Sequence, residues 1–260
     1  MGRPDAFYIP PEAFDAPYAL TDGEAAHCAK VLRKKNGEII RAFDGEGHEG
    51  LFRITAVSRD RVDLEAQSLA EAPLPATRLF LAAGFSRSTR RDFFLEKAVE
   101  LGAAGILFWQ AAHSQGRMPD APKDSWKATL VAAAKQCGAA RLPELDVVPG
   151  GAAGLVTACS HRFDRRYLLW EAPGLDRRIR LDDVGAPGEA LFVLGPEGGL
   201  TDAEARTFQD AGYAPVSLGE RVLRFETAAL AVLALGLAAP HAPRPVPGVI
   251  PALSNRPNPL

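Results

Sequence analysis

The stretch LGPEGGLTDAE, from Leu194 to Glu204, follows the apolar run ALFVL and leads into a helix signal. Glycines at the end of a buried strand let the backbone turn sharply or let a ligand come close to it. In open α/β sheets, ligands bind at the carboxyl ends of the strands. The stretch therefore predicts either a tight turn or a small-molecule site whose wall is the backbone itself.

A second loop of this kind is LGERVLRFETAAL, from Leu218 to Leu230. Both loops are expected to lead into helices, whose N-termini carry free amides that bind ligands. The second helix begins near Glu226 and is apolar on nearly every face, as in TAALAVLALGLAA. A helix apolar all round is buried, so it is expected in the core, in a dimer interface or in both.

The sequence around these loops shows two different patterns of secondary structure. From Thr77 onward, apolar strand-like runs alternate with helix-like segments, which predicts a parallel sheet covered on both faces. One of these helices follows a capping-box spacing at Thr201 and Glu204. Residues 1–72 instead read as a small β unit with one helix, TDGEAAHCAKVLRKK, where Thr21 and Glu24 have the same spacing. We therefore predict a domain at 1–72, a linker at 72–77, an α/β domain at 77–239 and a Pro-rich tail at 240–260.

Composition excludes several classes of protein. The formal net charge is −2, so any nucleic-acid binding must come from local basic patches. The three cysteines have no metal-ligand spacing, which indicates a reducing cytoplasm and no metal. The longest apolar stretch, 228–239, is shorter than the roughly 20 residues that span a bilayer. We therefore expect a cytoplasmic protein with neither a membrane anchor nor a metal.

Nucleotide fingerprints are missing from both loops. The chain has no GxGxxG and no GxxxxGK[ST], which disfavours a dinucleotide oxidoreductase or a P-loop enzyme. Glu197 would also repel a phosphate, whereas a cationic ligand would be tolerated beside it. S-adenosylmethionine (SAM) carries a sulfonium and no phosphate, and so it suits this loop.

LGPEGGL followed by SLGERVLRFETAALAVL resembles the SAM-binding end of the bacterial small-subunit rRNA uracil-N3 methyltransferases, the RsmE family of the SPOUT class. EKAVELG (96–102), AAAKQCGAARLPE (132–144) and WEA (170–172) stand in the family's order, and HCAKVLRKKNGEIIRAFDGEG (27–47) is similar to its PUA-like RNA-binding domain. The resemblance implies an N-terminal PUA-like β-barrel domain, a C-terminal SPOUT α/β domain with a trefoil knot, and a homodimer. It also implies the cofactor-binding residues, which are Leu194, Gly195, Glu197, Gly198, Gly199, Leu218, Gly219, Val222 and Leu223.

The chemistry implied is methyl transfer to N3 of a uridine in rRNA of the small ribosomal subunit. Uracil N3 keeps its proton at pH 7, so the enzyme must remove that proton or stabilise the anion. We expect Arg224, with Arg221, to stabilise the charge on the base. Glu226 or Glu171 is expected to accept the proton. Glu197 fits the cap of a turn better than a catalytic role.

RNA contacts are expected from two local basic clusters, KVLRKK and SRSTRRDFF. Lysines and arginines would bind phosphates, and flipped or single-stranded bases would give specificity. The candidates are Lys30, Arg33, Lys34, Lys35, Arg87, Arg90 and Arg91.

Several positions differ from the family's usual pattern, and they bear on the substrate. The differing residues are Ala6, His113, Lys135, Ala139 and Phe225. Two alternatives therefore stay open beside the uridine-N3 enzyme. One is a divergent SPOUT methyltransferase acting on another RNA base, and the other is an RNA-binding protein that keeps the SAM fold without turnover.

Overall fold

The computed structural model describes residues 3–86, 89–171 and 175–239. The Pro-rich tail predicted at 240–260 therefore lies outside the described residues. Within these ranges, no helix has both the length and the apolar character that a bilayer crossing requires.

The N-terminal unit is built on one five-stranded sheet in the order β1-β3-β4-β5-β2. β1 pairs with β3 in parallel, and the other neighbours are antiparallel. Phe7, Ile40, Phe52 and Val62 are fully buried between the sheet and the short helices packed against it. The elements are β1 Ala6–Tyr8, a 3-10 turn Pro11–Ala13, β2 Ala19–Thr21, α1 Asp22–Ala26, a π-helical turn His27–Val31, β3 Ile39–Phe43, β4 His48–Val57 and β5 Arg61–Glu71.

The capping box expected at the start of α1 is wrong. Thr21 is the N-cap residue, but its side chain makes no capping hydrogen bond. The carboxylate of Glu24 instead accepts from the backbone N of Tyr8 at 3.2 Å and from Nζ of Lys135 at 2.8 Å. Lys135 Nζ lies within 2.9 Å of both oxygens of Glu24, so an ion pair with a distant lysine takes the place of the local cap.

The C-terminal unit contains the expected parallel sheet, which is confirmed with six strands in the order β11-β9-β10-β6-β7-β8. The strands are β6 Thr77–Gly84, β7 Gly105–Trp109, β8 Glu144–Val148, β9 Arg165–Leu169, β10 Gly188–Leu194 and β11 Ala214–Val216. The helices are α2 Thr89–Glu100, α3 Asp124–Cys137, α4 Gly151–Cys159, α5 Leu181–Gly185, α6 Asp202–Asp210 and α7 Phe225–Ala238.

Helices cover both faces of this sheet, as predicted. On one face, α2, α3, α5 and α7 bury an apolar core that includes Phe94, Trp126 and Val232. On the other face, α4 and α6 bury a second core around Leu155 and Phe208. A sheet buried on both sides needs continuous apolar strands, and LFLAA in β6 and ALFVL in β10 have that character. The trefoil knot stays a prediction.

Helix α7 is buried on one side only in the single chain. Ala229, Val232, Leu233 and Gly236 face the core, whereas Leu237 is 53% exposed. The uniform apolar pattern of α7 therefore does not come from burial on all sides within this chain.

Candidate functional site at the carboxyl ends of the strands

The two loops singled out in the sequence lie at the same edge of the C-terminal sheet. Because all six strands are parallel, their carboxyl ends meet there. The first loop, residues 195–201, follows β10, and the second loop, residues 217–224, follows β11. The segment after β7, with Ala112 and His113, and Glu171 after β9 border them.

The first loop is a tight turn that depends on its glycines. The backbone N of Gly199 donates to the carbonyl of Pro196 at 2.8 Å, and Gly199 has a φ of +75°. A β-carbon at residue 198 would lie 2.7 Å from Cβ of His113. A β-carbon at residue 199 would meet nothing within 4 Å. The turn thus leaves open space on one side of its backbone.

The capping box predicted at Thr201 and Glu204 is confirmed at the end of the first loop. Glu204 N donates to Thr201 Oγ1 at 3.2 Å, and Thr201 N donates to Glu204 Oε2 at 2.9 Å. The other oxygen, Glu204 Oε1, accepts from Ala112 N at 2.8 Å. Nδ1 of His113 lies 3.3 Å from the carbonyl oxygen of Gly199. The segment after β7 therefore contacts the end of the glycine turn and the first turn of α6.

The second loop also presents open backbone. Gly219 has a φ of +130°, and a β-carbon there would meet nothing within 4 Å. Its amide donates to Oγ of Ser217 at 3.3 Å. Further along, Leu223 N donates to Glu171 Oε1 at 3.3 Å. Val222 is 83% exposed, so the loop displays an apolar side chain that nothing in the described chain covers.

Two carboxylates beside the loops have buried oxygens without hydrogen-bond partners among the described residues. These atoms are Oε2 of Glu197 and Oε2 of Glu226. The other oxygen of Glu197 lies 3.7 Å from Nη1 of Arg90. A buried acceptor without a donor is costly, and such atoms at an open site suit a ligand that brings donors or positive charge.

The remaining cofactor candidates differ in exposure. Leu194 is 2% exposed and belongs to the core, so only its backbone is available to a ligand. Leu218 packs partly buried on the same core. Gly195 is crowded, because a β-carbon there would lie 3.0 Å from Leu200.

The catalytic candidates border the second loop. Arg224 is exposed and is the N-cap residue of α7. Arg224 forms no ion pair with Glu226 in the part of the chain that the structure describes. Glu171 is exposed and accepts a hydrogen bond from the backbone N of Leu223, whereas Glu226 is half-buried.

The RNA-binding candidates fall into two groups. Lys30, Arg33 and Lys35 are exposed, but Lys34 pairs with Asp5 at 2.8 Å and Glu38 at 3.1 Å. These hydrogen bonds raise the pKa of Lys34 above its usual value.

The described arginines of the second basic cluster also have interaction partners within the chain. Besides the contact of Arg90 with Glu197, Arg91 lies over the ring of Trp126 at 4.8 Å and pairs with Asp92 at 3.0 Å. Arg87 lies outside the described residues.

Three of the positions that differ from the family pattern have clear structural roles. Lys135 pairs with Glu24 across the two units, and the carbonyl of Ala139 accepts from Nη2 of Arg41 at 3.2 Å. Phe225 is 5% exposed and contacts Phe94 edge to face at 5.2 Å. These contacts could not be predicted from the sequence, because each joins residues far apart in the chain.

The residues of the two loops fit SAM. Open space beside Gly199 and Gly219 leaves room for a ligand, and the unpartnered oxygen of Glu197 suits a positive charge on it. No group of three potential metal ligands occurs within the described ranges.

Comparison with known proteins agrees with this site. Residues 72–236 match the model of an RNA methyltransferase domain, and residues 20–67 match that of an RNA methyltransferase PUA domain. The chain is 32% identical to ribosomal RNA small subunit methyltransferase E of Mycobacterium bovis, over 87% of this chain and 88% of that protein. It is 26% identical to the protein of that name from Bacillus subtilis, over 83% of this chain and 88% of that protein.

Solved structures agree as well. A putative methyltransferase of Legionella pneumophila in complex with SAM superimposes with a TM-score of 0.79 at 28% identity, over 93% of this chain and all (100%) of that one. Ribosomal RNA small subunit methyltransferase E of Neisseria gonorrhoeae bound to SAM gives a TM-score of 0.73 at 28% identity, over 90% and 96% of the two chains. With its PUA domain, its α/β domain and these relatives, this chain belongs to the RNA methyltransferase family that includes ribosomal RNA small subunit methyltransferase E.

Proposed function

We propose that this protein transfers a methyl group from SAM to N3 of a uridine in the rRNA of the small ribosomal subunit. The names of its relatives and the SAM-bound structures of two of them support the reaction. The observation that carries the proposal is the pair of open glycine loops with unpartnered carboxylate oxygens beside them. Because ribosomes are assembled and used in the cytoplasm, we place the protein there.

The two loops would hold SAM mainly through their backbone. The open β-carbon positions of Gly199 and Gly219 leave space for a ligand against the backbone, and Leu218 lies at the edge of the apolar core. Glu197 would face positive charge on the ligand. The remaining contacts would come from the cofactor residues implied by the resemblance.

SAM supplies an electrophilic methyl group, so the chain's own task is to orient the base and manage its N3 proton. Arg224 is exposed at the start of α7 and has no ion-pair partner among the described residues, so its guanidinium is available to a developing anion. Glu226 keeps a free acceptor oxygen, whereas Glu171 already accepts from Leu223. We therefore favour Glu226 over Glu171 as the proton acceptor.

RNA would be bound through the exposed basic residues of the N-terminal unit. Lys30, Arg33 and Lys35 are available to phosphates, whereas Lys34 is engaged with two carboxylates. Arg90 and Arg91 have partners within the chain, so we assign them a smaller share of the affinity. Arg87 remains a candidate on sequence grounds.

We further propose a homodimer that covers the exposed side of α7, and a knotted C-terminal domain. Exposed apolar surface that is continuous along a helix marks an interaction site. In α7 this surface includes the exposed Ala234 and Leu237 and the half-buried Leu230, spaced at helical intervals. The second loop leads directly into α7, so we propose that the partner lies near the cofactor.

The site assignment is tested by two matched glycine variants. Gly199 and Gly102 both have a φ of +75° and open space at the β-carbon position, but Gly102 lies after α2 at the opposite edge of the sheet. Gly199→Leu should weaken SAM binding by about tenfold or more, and Gly102→Leu should not. Calorimetry with SAM measures this, and equal affinity in both variants would remove the assignment.

A methyl-transfer assay distinguishes an enzyme from an RNA-binding protein without catalytic activity. Purified small ribosomal subunits from cells that lack this protein should gain labelled methyl from SAM with the parent chain and not with Gly199→Leu. SAM binding without any methyl transfer would favour the binding protein.

A further inference from the structure

The second cofactor loop is held at its start by a segment from elsewhere in the chain. Ser217 N donates to the carbonyl of Arg177 at 2.9 Å, and Ile179 N donates to the carbonyl of Ser217 at 3.0 Å. Arg178 and Ser217 form an isolated parallel bridge. Residues 177–179 thus run as a short extra strand beside the loop, and we call them the strap.

The strap is fixed by one buried carboxylate. The side chain of Asp183, in α5, is 9% exposed. Its Oδ1 accepts from the hydroxyl of Tyr167 at 2.8 Å and from Nη2 of Arg177 at 3.0 Å, and its Oδ2 accepts from Arg180 N at 2.9 Å. A buried carboxylate with three donors, one of them charged, is a strong and directional anchor.

The groups behind Asp183 are rigid. The ring of Tyr167 in β9 stacks on Phe192 of β10 at 4.7 Å. Burial and the bond to Asp183 raise the pKa of Tyr167 to about 12, so its hydroxyl stays a donor at neutral pH. Val184, next to Asp183, is fully buried, and Thr77 Oγ1 donates to the carbonyl of Gly185 at 2.8 Å. Asp183 therefore joins the strap to the centre of the sheet.

The strap's other link to the loop is weak. Arg178 pairs with Glu220 at 3.1 Å, but their side chains are 64% and 89% exposed. Exposed ion pairs contribute little. The polar anchor of the strap, and through it of the start of the second loop, is consequently the pair of Asp183 and Arg177, beside the packing of Ile179 on the core.

We infer that Asp183 is a positioning residue, which holds the strap so that residues 217–223 keep the backbone geometry that binds SAM. The inference rests on the proposed assignment of this loop to the cofactor. Asp183 does not line the loop itself, and it acts through Arg177 and Ser217. Its loss should therefore weaken SAM binding while leaving the chemical step unchanged once SAM is bound.

Asp183→Asn tests this role, because the amide keeps an oxygen for Tyr167 but loses the charge that holds Arg177. Asp164→Asn is the control. Asp164 Oδ2 accepts from Glu189 N at 2.8 Å near the start of β10, at the edge of the sheet that faces away from the two loops. We expect SAM affinity to fall about tenfold in Asp183→Asn and to stay unchanged in Asp164→Asn. Calorimetry with SAM measures the affinity.

Two further readouts separate positioning from a general loss of structure. Hydrogen exchange of the Ser217 and Ile179 amides in the free protein should speed up in Asp183→Asn, with exchange in β6 and β7 unchanged. The rate of methyl transfer at saturating SAM should match the parent, so that KM for SAM rises while kcat does not. If Asp183→Asn fails to fold, Arg177→Gln, at a half-exposed side chain, replaces it and should give the same pattern.

Unchanged SAM affinity with unchanged Ser217 exchange would overturn the inference. An equal loss of affinity in Asp164→Asn would overturn it too, because the effect would then be general. If Gly199→Leu loses SAM while Asp183→Asn does not, only this inference fails. If neither variant loses SAM, the assignment of the loops to the cofactor fails first.

Discussion

Arg224 is exposed at the last position of the second loop. It is the N-cap residue of α7, so the start of this helix fixes the position of its backbone. The helix N-terminus adds partial positive charge at the same spot, which favours an anion. These features suit stabilisation of a deprotonated base better than a role in the fold.

Arg224→Ala should leave SAM affinity nearly intact and reduce methyl transfer by roughly 10²–10³-fold, as is typical on loss of one charge-stabilising donor. Single-turnover rates at saturating RNA measure the effect. Arg59→Ala is the control, because Arg59 is 83% exposed on the turn between β4 and β5. An Arg224 variant that loses RNA affinity with an unchanged saturated rate would contradict the catalytic role.

Lys34 and Lys35 are neighbours that differ in their partners. Lys34 is 19% exposed and held by Asp5 and Glu38, whereas Lys35 is exposed. Lys35→Ala should therefore weaken RNA binding and lower the slope of log affinity against log salt by about 0.7, the value for one phosphate contact on a single strand. Lys34→Ala should change that slope less. Binding measured over a series of salt concentrations compares them, and equal slopes would contradict the distinction.

Individual residues show what the sequence can and cannot predict. Thr201 and Glu204 form the expected box because both partners lie within one turn of helix. Glu24 has the same spacing from Thr21 but binds Lys135, which lies 111 residues away. The spacing is identical in both cases, and only the tertiary partner decides between them.

Among the elements, the strands and helices of the C-terminal sheet were largely predictable, and the short strands of the N-terminal unit were not. β6 and β10 stand out because strands buried on both faces are uniformly apolar. β1 and β2 have three residues each, too few to show an alternating pattern. The strap could not be predicted from the sequence either, because its strand-like pairing with Ser217 depends on Asp183 and not on the residues of the strap.

The exposed side of helix α7 is the proposed dimer interface. Leu237→Glu should convert the dimer to a monomer, because it places a charge in an apolar interface. Leu74→Glu is the control, since Leu74 is 60% exposed in the segment between the two sheets, compared with 53% for Leu237. Sedimentation at micromolar concentration should give a dimer for the parent and for Leu74→Glu. A parent that is monomeric would contradict the proposed dimer.

Polar contacts join the N-terminal and C-terminal units, and we call this contact region the seam. Arg141 Nη2 donates to the carbonyl of Ala72 at 2.6 Å, and Leu142 N donates to the carbonyl of Gly45 at 2.8 Å. Arg41 Nη2 donates to the carbonyls of Gly138 and Ala139 at the end of α3. A cation that binds free carbonyls at a helix C-terminus stabilises that helix. The segment 72–77 is thus not the only connection, and the seam holds the N-terminal unit against the C-terminal one.

The ion pair of Glu24 and Lys135 should contribute measurably to this seam. Their side chains are 26% and 20% exposed, so solvent screens the pair only partly. A double-mutant cycle with Glu24→Ala and Lys135→Ala should give a coupling free energy of about 1 kcal/mol in denaturant unfolding. The same cycle on Arg59 and Asp60, which are 83% and 85% exposed, should give no measurable coupling. Equal coupling in both cycles would show that the seam pair is an ordinary surface contact.

The central claim is methyl transfer from SAM to uridine N3 in small-subunit rRNA. The most direct test is to incubate the purified protein with SAM and small ribosomal subunits from cells that lack it, and to digest the rRNA to nucleosides for mass spectrometry. We predict newly formed 3-methyluridine among the nucleosides, produced by the parent protein and strongly reduced with Arg224→Ala. A methyl group on another base, or SAM bound with no methylated nucleoside at all, would contradict it.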